Sequence, residues 1–325
     1  MIERDSTAAT TPGAAGGRIE RGLSRILARG TERRDFLDRM ATNDLARLAP
    51  GQGAPTFLLE RTGRVVDRLL VLERGQEALL LGSAGRGAAA LEWLAKYVIA
   101  DDVTLRDVGE ETGLVTVLGK AAPEVLKRRF GVAAAELAPW DHRSGSPPFE
   151  ETLVVRAEDV GGKSFHVIAP RASMPAVEAA LAELPVVSEP TYRALRIEAG
   201  VPAFGEEFTE RSIPLELRAL DHISFTKGCY VGQEVIARLH NFHRVKRALA
   251  RVQIEGPPPS AGAELREGDE VVGSVASAAA LAGATFALAF VEQGRQTPGR
   301  ALVVQDGAER SAARVLTLTP SGDPS

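Results

Sequence analysis

The sequence predicts an α+β protein: two small packets of strands and helices, followed by a small all-β domain. Three observations predict it. Short strand-like runs alternate with helical stretches in small groups, not in a long βαβ series. No G-x-G-x-x-G follows a strand, so a dinucleotide-binding fold has no support. After Pro257-Pro258-Pro259 the chain breaks into short apolar runs punctuated by glycine, the texture of a small barrel or sandwich.

Taken in order, residues 1–17 carry Glu3 and Asp5 among Ala, Thr and Gly. They lack the charged-then-apolar order of a signal peptide and read as a disordered lead. Residues 31–48 are expected to be helical, with Phe36, Leu37, Met40 and Leu48 near one face, Thr31 as the cap and Pro50-Gly51 as the stop. Strands are expected at 56–60, 65–72 and 78–81, separated by Thr62-Gly63 and Gly75-Gln76. A helix at 88–99 follows, with Leu91, Leu94, Ala95 and Val98 at helical spacing. Strands at 103–108 and 114–118 come next, then a helix at 123–130 with proline in its first turn. A second strand pair, 153–156 and 164–169, turns through Gly161-Gly162, and helices are expected at 174–184 and 191–198. Residues 18–244 form the two-packet region. The domain change falls near Arg244 to Arg247, and 245–325 form the β domain, with strands at 270–273, 286–291, 301–305 and 314–318. The apolar stretch 275–291, interrupted by Ser277 and Gly283, is too short for the roughly 20 residues of a membrane span. It reads as a short helix or turn followed by a strand. Residues 319–325 are expected to be a second frayed end.

The chain has 325 residues, which implies more than one ordinary domain. Charged residues make up 25% and apolar ones 44%, as in soluble globular proteins. A net charge of −4 argues against a general nucleic-acid binder. The single cysteine excludes an internal disulfide framework and suits a reducing cytoplasm. It also excludes a self-sufficient all-cysteine iron–sulfur site, which needs four thiolates.

That cysteine sits in Lys227-Gly228-Cys229-Tyr230-Val231-Gly232-Gln233-Glu234. A thiol between two glycines and near a lysine can have a lowered pKa and an exposed sulfur. Glycine lets such a loop come close to a ligand or partner. Tyr230 adds an aromatic face, and Gln233 and Glu234 add polar handles. Downstream the chain is basic, with Arg238, Arg244, Lys246, Arg247 and Arg251, and no acid lies between Glu234 and Glu255. A helix over 235–239 would direct its N-terminus toward the cysteine loop, favouring a thiolate or a bound anion. The competing reading of the basic run is a solvated face. His240 and His243 with Cys229 give three metal-ligating side chains but no fourth, so no metal site is assigned. A second constellation is Arg196-Ile197-Glu198-Ala199-Gly200, where a carboxylate before a glycine turn suits the N–H donors of a heterocycle. A third is Asp67, on a strand with apolar neighbours, where strand alternation reads as an outward-facing acid.

Together these segments resemble the YgfZ family of folate-binding proteins, which share the fold of the glycine-cleavage T-protein, an aminomethyltransferase. The octapeptide matches the family signature closely. Phe36-Leu37 through Thr42-Asn43-Asp44, Gly63-Arg64 with Asp67, Arg196 to Gly205, and Val272-Gly273 with Ser277 and Ala287 to Val291 resemble the family more weakly. The resemblance implies a T-protein-like ring of three domains around a central hole that accepts tetrahydrofolate or a derivative. It implies a cytoplasmic role in assembling or maintaining iron–sulfur enzymes, including those that thiolate tRNA, with those enzymes or their assembly proteins as partners. It makes Cys229 the functional thiol, with Lys227 and Arg238 as its cationic surroundings, and Glu198 the pterin contact. Arg196, Asp67, Tyr230, Gln233, Glu234 and Arg238 join Glu198 as the folate-binding set. T-proteins carry two adjacent acids where this chain has Asp67 and Arg68, which argues against aminomethyl transfer, since the transferase needs a carboxylate beside the reacting nitrogen. A folate-dependent aminomethyltransferase is the alternative.

Overall fold

The computed structural model describes residues 16–242 and 244–316. Most of the expected lead, His243 and the expected frayed C-terminus lie outside the described residues. The chain opens with two strands that the pattern did not predict, β1 (Gly17–Glu20) and β2 (Ser24–Arg29). Both are short and bounded by charge, so neither gives a clear period. They are followed by α1 (Arg33–Met40), β3 (Gly53–Leu59), β4 (Val65–Glu73), β5 (Glu77–Gly82), α2 (Gly87–Ala95) and β6 (Thr104–Asp107). Next come β7 (Thr112–Leu118), α3 (Ala122–Phe130), β8 (His142–Ser144), β9 (Leu153–Arg156), β10 (Ser164–Pro170), α4 (Met174–Ala180) and α5 (Glu189–Ala199). A long connection leads to α6 (Gln233–Asn241) and then to β11 (Arg247–Ile254), β12 (Glu264–Glu267), β13 (Glu270–Leu281), β14 (Ala284–Glu292), β15 (Ala301–Asp306) and β16 (Glu309–Val315).

The strands form two five-stranded sheets, ordered β3-β4-β5-β2-β6 and β1-β7-β10-β9-β8, and a closed barrel, β11-β14-β13-β12-β15-β16. The two sheets face each other. Leu27, Leu70, Leu72, Leu79 and Leu81 of the first meet Leu114, Leu153, Val155 and Ile168 of the second in one apolar layer. Alternation sends the next residues outward, where Leu69, Val71 and Leu80 pack under Phe36, Met40, Trp93 and Leu94 of α1 and α2. Val117, Phe165 and Val167 pack likewise under Leu126, Phe130 and Val177 of α3 and α4. α5 then joins the sheets to the barrel: Ile197 packs on Leu249 and Leu288, and Arg251 Nη1 donates to the Glu198 carbonyl at 2.8 Å.

Two expectations need correction. The first helix ends at Met40, not Leu48, and Thr31 does not cap it; the Thr31 amide and hydroxyl both donate to Asp102 Oδ2, at 2.9 and 2.6 Å. The following residues bond elsewhere: Thr42 Oγ1 donates to the His222 carbonyl at 2.7 Å, and Asn43 Nδ2 to those of Pro55 at 2.8 Å and Asp221 at 2.9 Å. Long-range partners outweigh local helix propensity here. The stretch 275–291 contains no helix. It is a hairpin of β13 and β14 that turns at Ala282 and Gly283, both at positive φ (51° and 81°).

Candidate functional site

Where the apolar layer between the sheets ends, a cavity of about 190 Å³ opens. α5 and the segment 201–208 close it on one side. Its walls carry Trp140, Tyr192, Phe204 and Phe208, and three guanidinium groups, Arg21, Arg68 and Arg196, line it together with Glu158, His166 and Thr116.

Strand alternation decides which residue of β4 enters the cavity. Arg68 follows the parity of Leu70 and Leu72, toward the facing sheet, and lines the cavity. Asp67 follows Leu69 and Val71, toward the helices, and is 0% exposed. The expected outward-facing acid is therefore a buried one. Asp67 accepts from the amides of Arg68 (2.8 Å) and Ser83 (3.2 Å), and burial raises its pKa above the usual carboxylate value.

Arg68 is held from two sides. Its Nε donates to His222 Nε2 at 2.9 Å, and its Nη2 donates to Glu158. A guanidinium has only donors, so His222 Nε2 accepts and the imidazole proton sits on Nδ1, 2.9 Å from Asp221 Oδ1. Burial, and then the Arg68 charge, lower the His222 pKa and keep the ring neutral. Asp221, His222, Arg68 and Glu158 thus form one relay that orients a cation in the cavity. Arg196 is neutralised by Glu207, at 2.8 Å, with Glu206 3.1 Å from its other terminal nitrogen. Arg21 lies 4.1 Å over the Tyr192 ring and has no carboxylate partner among the described residues. Burial and Arg21 hold His166 down at about 3, so it too stays neutral.

The predicted site residues do not all converge on this cavity. Arg196 lines it, as does Tyr192 one helical turn earlier. Glu198, two residues on, points elsewhere on α5 and is not among the lining residues; the buried acid of this region is Glu207. Asp67 is turned away. Tyr230 is 8% exposed, inside an apolar cluster with Phe57, Leu59 and Ile236, and burial pushes its hydroxyl up to about 12. Gln233 and Glu234 form the first turn of α6, and Arg238 is exposed further along it. None of these four lines the cavity.

Cys229 is free and exposed. The cationic surroundings expected of Lys227 are not free to act on it. Its ammonium bonds to Asp38 Oδ1 and to the carbonyls of Asp38, Ala41 and Asn43, which ties the loop to the end of α1. The glycines have different roles. Gly232, at φ 84°, packs against the β3–β4 turn, where an added Cβ would stand 2.7 Å from the Glu60 carbonyl oxygen. Gly228 faces open space. Beyond α6 the basic run divides. Arg247 pairs with Glu216 at 3.2 Å and Arg251 bonds α5, while Arg238, Arg244 and Lys246 are exposed without an ion pair among the described residues. His240 stacks on Phe225 at 4.1 Å.

Sequence reasoning missed Arg21, Trp140 and His222 and treated Arg68 only as a departure. Strand geometry put Arg68 and Asp67 on opposite faces of β4, but apolar residues cover both faces, so the sequence held no signal for which of the two enters the cavity. His222 is brought in by a long connection and left no local pattern.

The GCVT N-terminal domain matches residues 21–227. The chain belongs to that family. Among the relatives of this GCVT-family chain is the tRNA-modifying protein YgfZ of Colwellia psychrerythraea, 28% identical over 232 residues, which cover 70% of this chain and 69% of the relative. The aminomethyltransferase of Thermotoga neapolitana is 26% identical over 296 residues, covering 88% and 80%. The glycine cleavage system aminomethyltransferase T from Bartonella henselae superposes with a TM-score of 0.83 at 19% identity, over 94% of this chain and 86% of that one. The expected T-protein fold with its C-terminal barrel is therefore the fold of this GCVT-family protein.

Proposed function

We propose that the chain binds tetrahydrofolate or a derivative in the inter-sheet cavity. We further propose that it serves, in the cytoplasm, as an accessory to iron–sulfur enzymes, including tRNA-modifying ones, through Cys229. The observation that carries the ligand reading is the cavity itself: aromatic walls with a few oriented polar groups, in a chain of the GCVT family. About 190 Å³ is below the 300–1,000 Å³ typical of sites that enclose a whole drug-sized ligand. It suits a flat bicyclic head with the tail lying outside. The YgfZ relative supports the tRNA-modification part. Lys227 fits a positioning role for the thiol loop, and the exposed Arg238 fits a docking face beside it for an acidic partner or a folate tail.

The alternative, aminomethyl transfer, is favoured by the length over which the aminomethyltransferase relative matches. Against it stands Asp67, whose carboxylate is bonded to Arg68 and Ser83 amides and lies outside the cavity lining. Tetrahydrofolate is expected to raise the melting temperature of the purified protein, because a ligand of the folded state alone stabilises it by mass action. In a deletion strain, Cys229→Ser is expected to keep folate affinity and to lower the activity of iron–sulfur enzymes. Full rescue by the serine form would remove the thiol from the function. Release of ammonia and methylene-folate from an aminomethyl donor would establish the alternative.

A further inference from the structure

We propose that the C-terminal end of α6 is a binding surface for a single-stranded segment of RNA, with Phe225 and Phe242 as stacking platforms and Arg238, Arg244 and Lys246 as phosphate contacts. The choice of RNA over DNA rests on the tRNA-linked role proposed above. None of the five residues lines the inter-sheet cavity, so the surface does not depend on what fills that space.

The chain has eleven phenylalanines, and only Phe225 and Phe242 are exposed, at 42% and 65%. Both sit at one helix end. Phe225 stacks on His240 in the last turn of α6, with ring centroids 4.1 Å apart and planes 24° from parallel. Phe242 follows two residues later, and its amide still donates to the Arg238 carbonyl at 3.2 Å, so helical spacing sets Arg238 beside it. The Arg244 guanidinium lies 5.4 Å from the centre of the Phe242 ring. The other side of α6 is fixed: Ile236 is fully buried with Phe57, Leu59 and Val65, and Leu239 and Val245 pack on the same cluster. The rings and cations are therefore carried on a held helix.

Charge and ring chemistry together select the occupant. Arg247 of the same basic run is neutralised by Glu216, whereas Arg238, Arg244 and Lys246 are exposed with no carboxylate partner among the described residues. The partial negative charge of a helix C-terminus opposes a phosphate there, so binding depends on these three cations. An acidic peptide would satisfy the cations and leave the rings in water. A protein interface would bury the rings in a contiguous apolar core. Here no large aliphatic side chain between 225 and 247 is exposed, and the rings touch His240 and Arg244. A single strand of RNA meets both demands, with phosphates for the cations and unpaired bases whose flat faces stack on the rings. The net charge of −4 confines the attraction to this face.

The test is fluorescence anisotropy of the full chain with a labelled, unstructured oligoribonucleotide. The parent is expected to bind it at least about tenfold more tightly than its duplex with the complementary strand, whose bases are hidden. Polyglutamate of equal charge, which has no bases, should compete at least about tenfold less well. Three phosphate contacts predict a slope of log K against log salt of about −2, and Arg244→Gln should make it shallower by about 0.7. Phe242→Leu is expected to lose about tenfold in affinity, and Phe242→Tyr to stay within about twofold of the parent. The leucine form keeps an apolar side chain and loses the π face, which separates stacking from simple burial. Equal binding of duplex or polyglutamate, or a leucine form that binds like the parent, would overturn the surface. No RNA binding by a parent that tetrahydrofolate stabilises would overturn it and leave the folate reading standing. RNA binding together with normal tRNA modification in a deletion strain would support the surface and remove the tRNA-linked role.

Discussion

Four oxygen acceptors surround the Lys227 ammonium, and all come from the stretch that ends α1. With the lysine side chain 2% exposed and the Asp38 side chain 17% exposed, this is a nearly dry ion pair. Removing one partner of such a pair costs more than the pair contributes, because the other is left buried and uncompensated. Lys227→Met is therefore expected to lose about 3 kcal/mol of stability, read from the urea midpoint. It should also make Cys229 more variable in its alkylation kinetics, since the loop loses its anchor. His142 offers a second measurement on one residue. It is 3% exposed, and burial, with Arg74 and Arg143 nearby, lowers its pKa to about 4. In the unfolded chain it titrates near the ordinary ~6.5, so below that pH the unfolded state takes the proton first. Its contribution is full above pH ~6.5 and is lost as pH falls toward 4, by up to about 3 kcal/mol. A urea series between pH 7 and 4 should show a shallower decline in His142→Asn than in the parent.

At the scale of the element, the two glycines of the octapeptide separate by what they face. Gly232→Ala forces a left-handed backbone at φ 84° and brings a methyl group against Glu60 and Leu59. A loss of about 1–2 kcal/mol from the backbone alone is expected, with the clash added. Gly228→Ala meets nothing within 4 Å and should stay within about 0.5 kcal/mol of the parent. Thermal unfolding of both variants checks the contrast. The octapeptide was legible as a special loop because glycine, a lone thiol and charge have no place together in a core element. What each residue faces was not legible, since the faces are supplied by α1 and the β3–β4 turn, far away in sequence. The same holds on β4. Its near-continuous apolar run was readable as a strand covered on both faces, and strand alternation puts Asp67 and Arg68 on opposite sides, but which side held the cavity depended on the second sheet. On α5, Tyr192 and Arg196 share the cavity face, and Glu198 cannot join them at helical spacing.

At the scale of the whole molecule, α3 and α5 were readable from their helical spacing, and β4 and β10 from near-continuous apolar runs. β1, β2 and β11 were not: the first two are short, and β11 begins inside a basic run. The barrel could be read from its glycine-broken texture, and its long β13–β14 hairpin was obscured by alanine, which carries little period. β1 has a further consequence for synthesis. It is made first, yet Gly17 pairs with Leu118 of β7, about 100 residues later. At a translation rate of ~5–20 residues per second, β1 waits ~5–20 s for a partner. The first sheet needs nothing beyond Asp107 and can assemble during that wait. The N-terminal strand is then captured by β7 while β8, β9 and β10, the other strands of its own sheet, are still to be made, so the second sheet grows from its N-terminal edge against a first sheet already assembled.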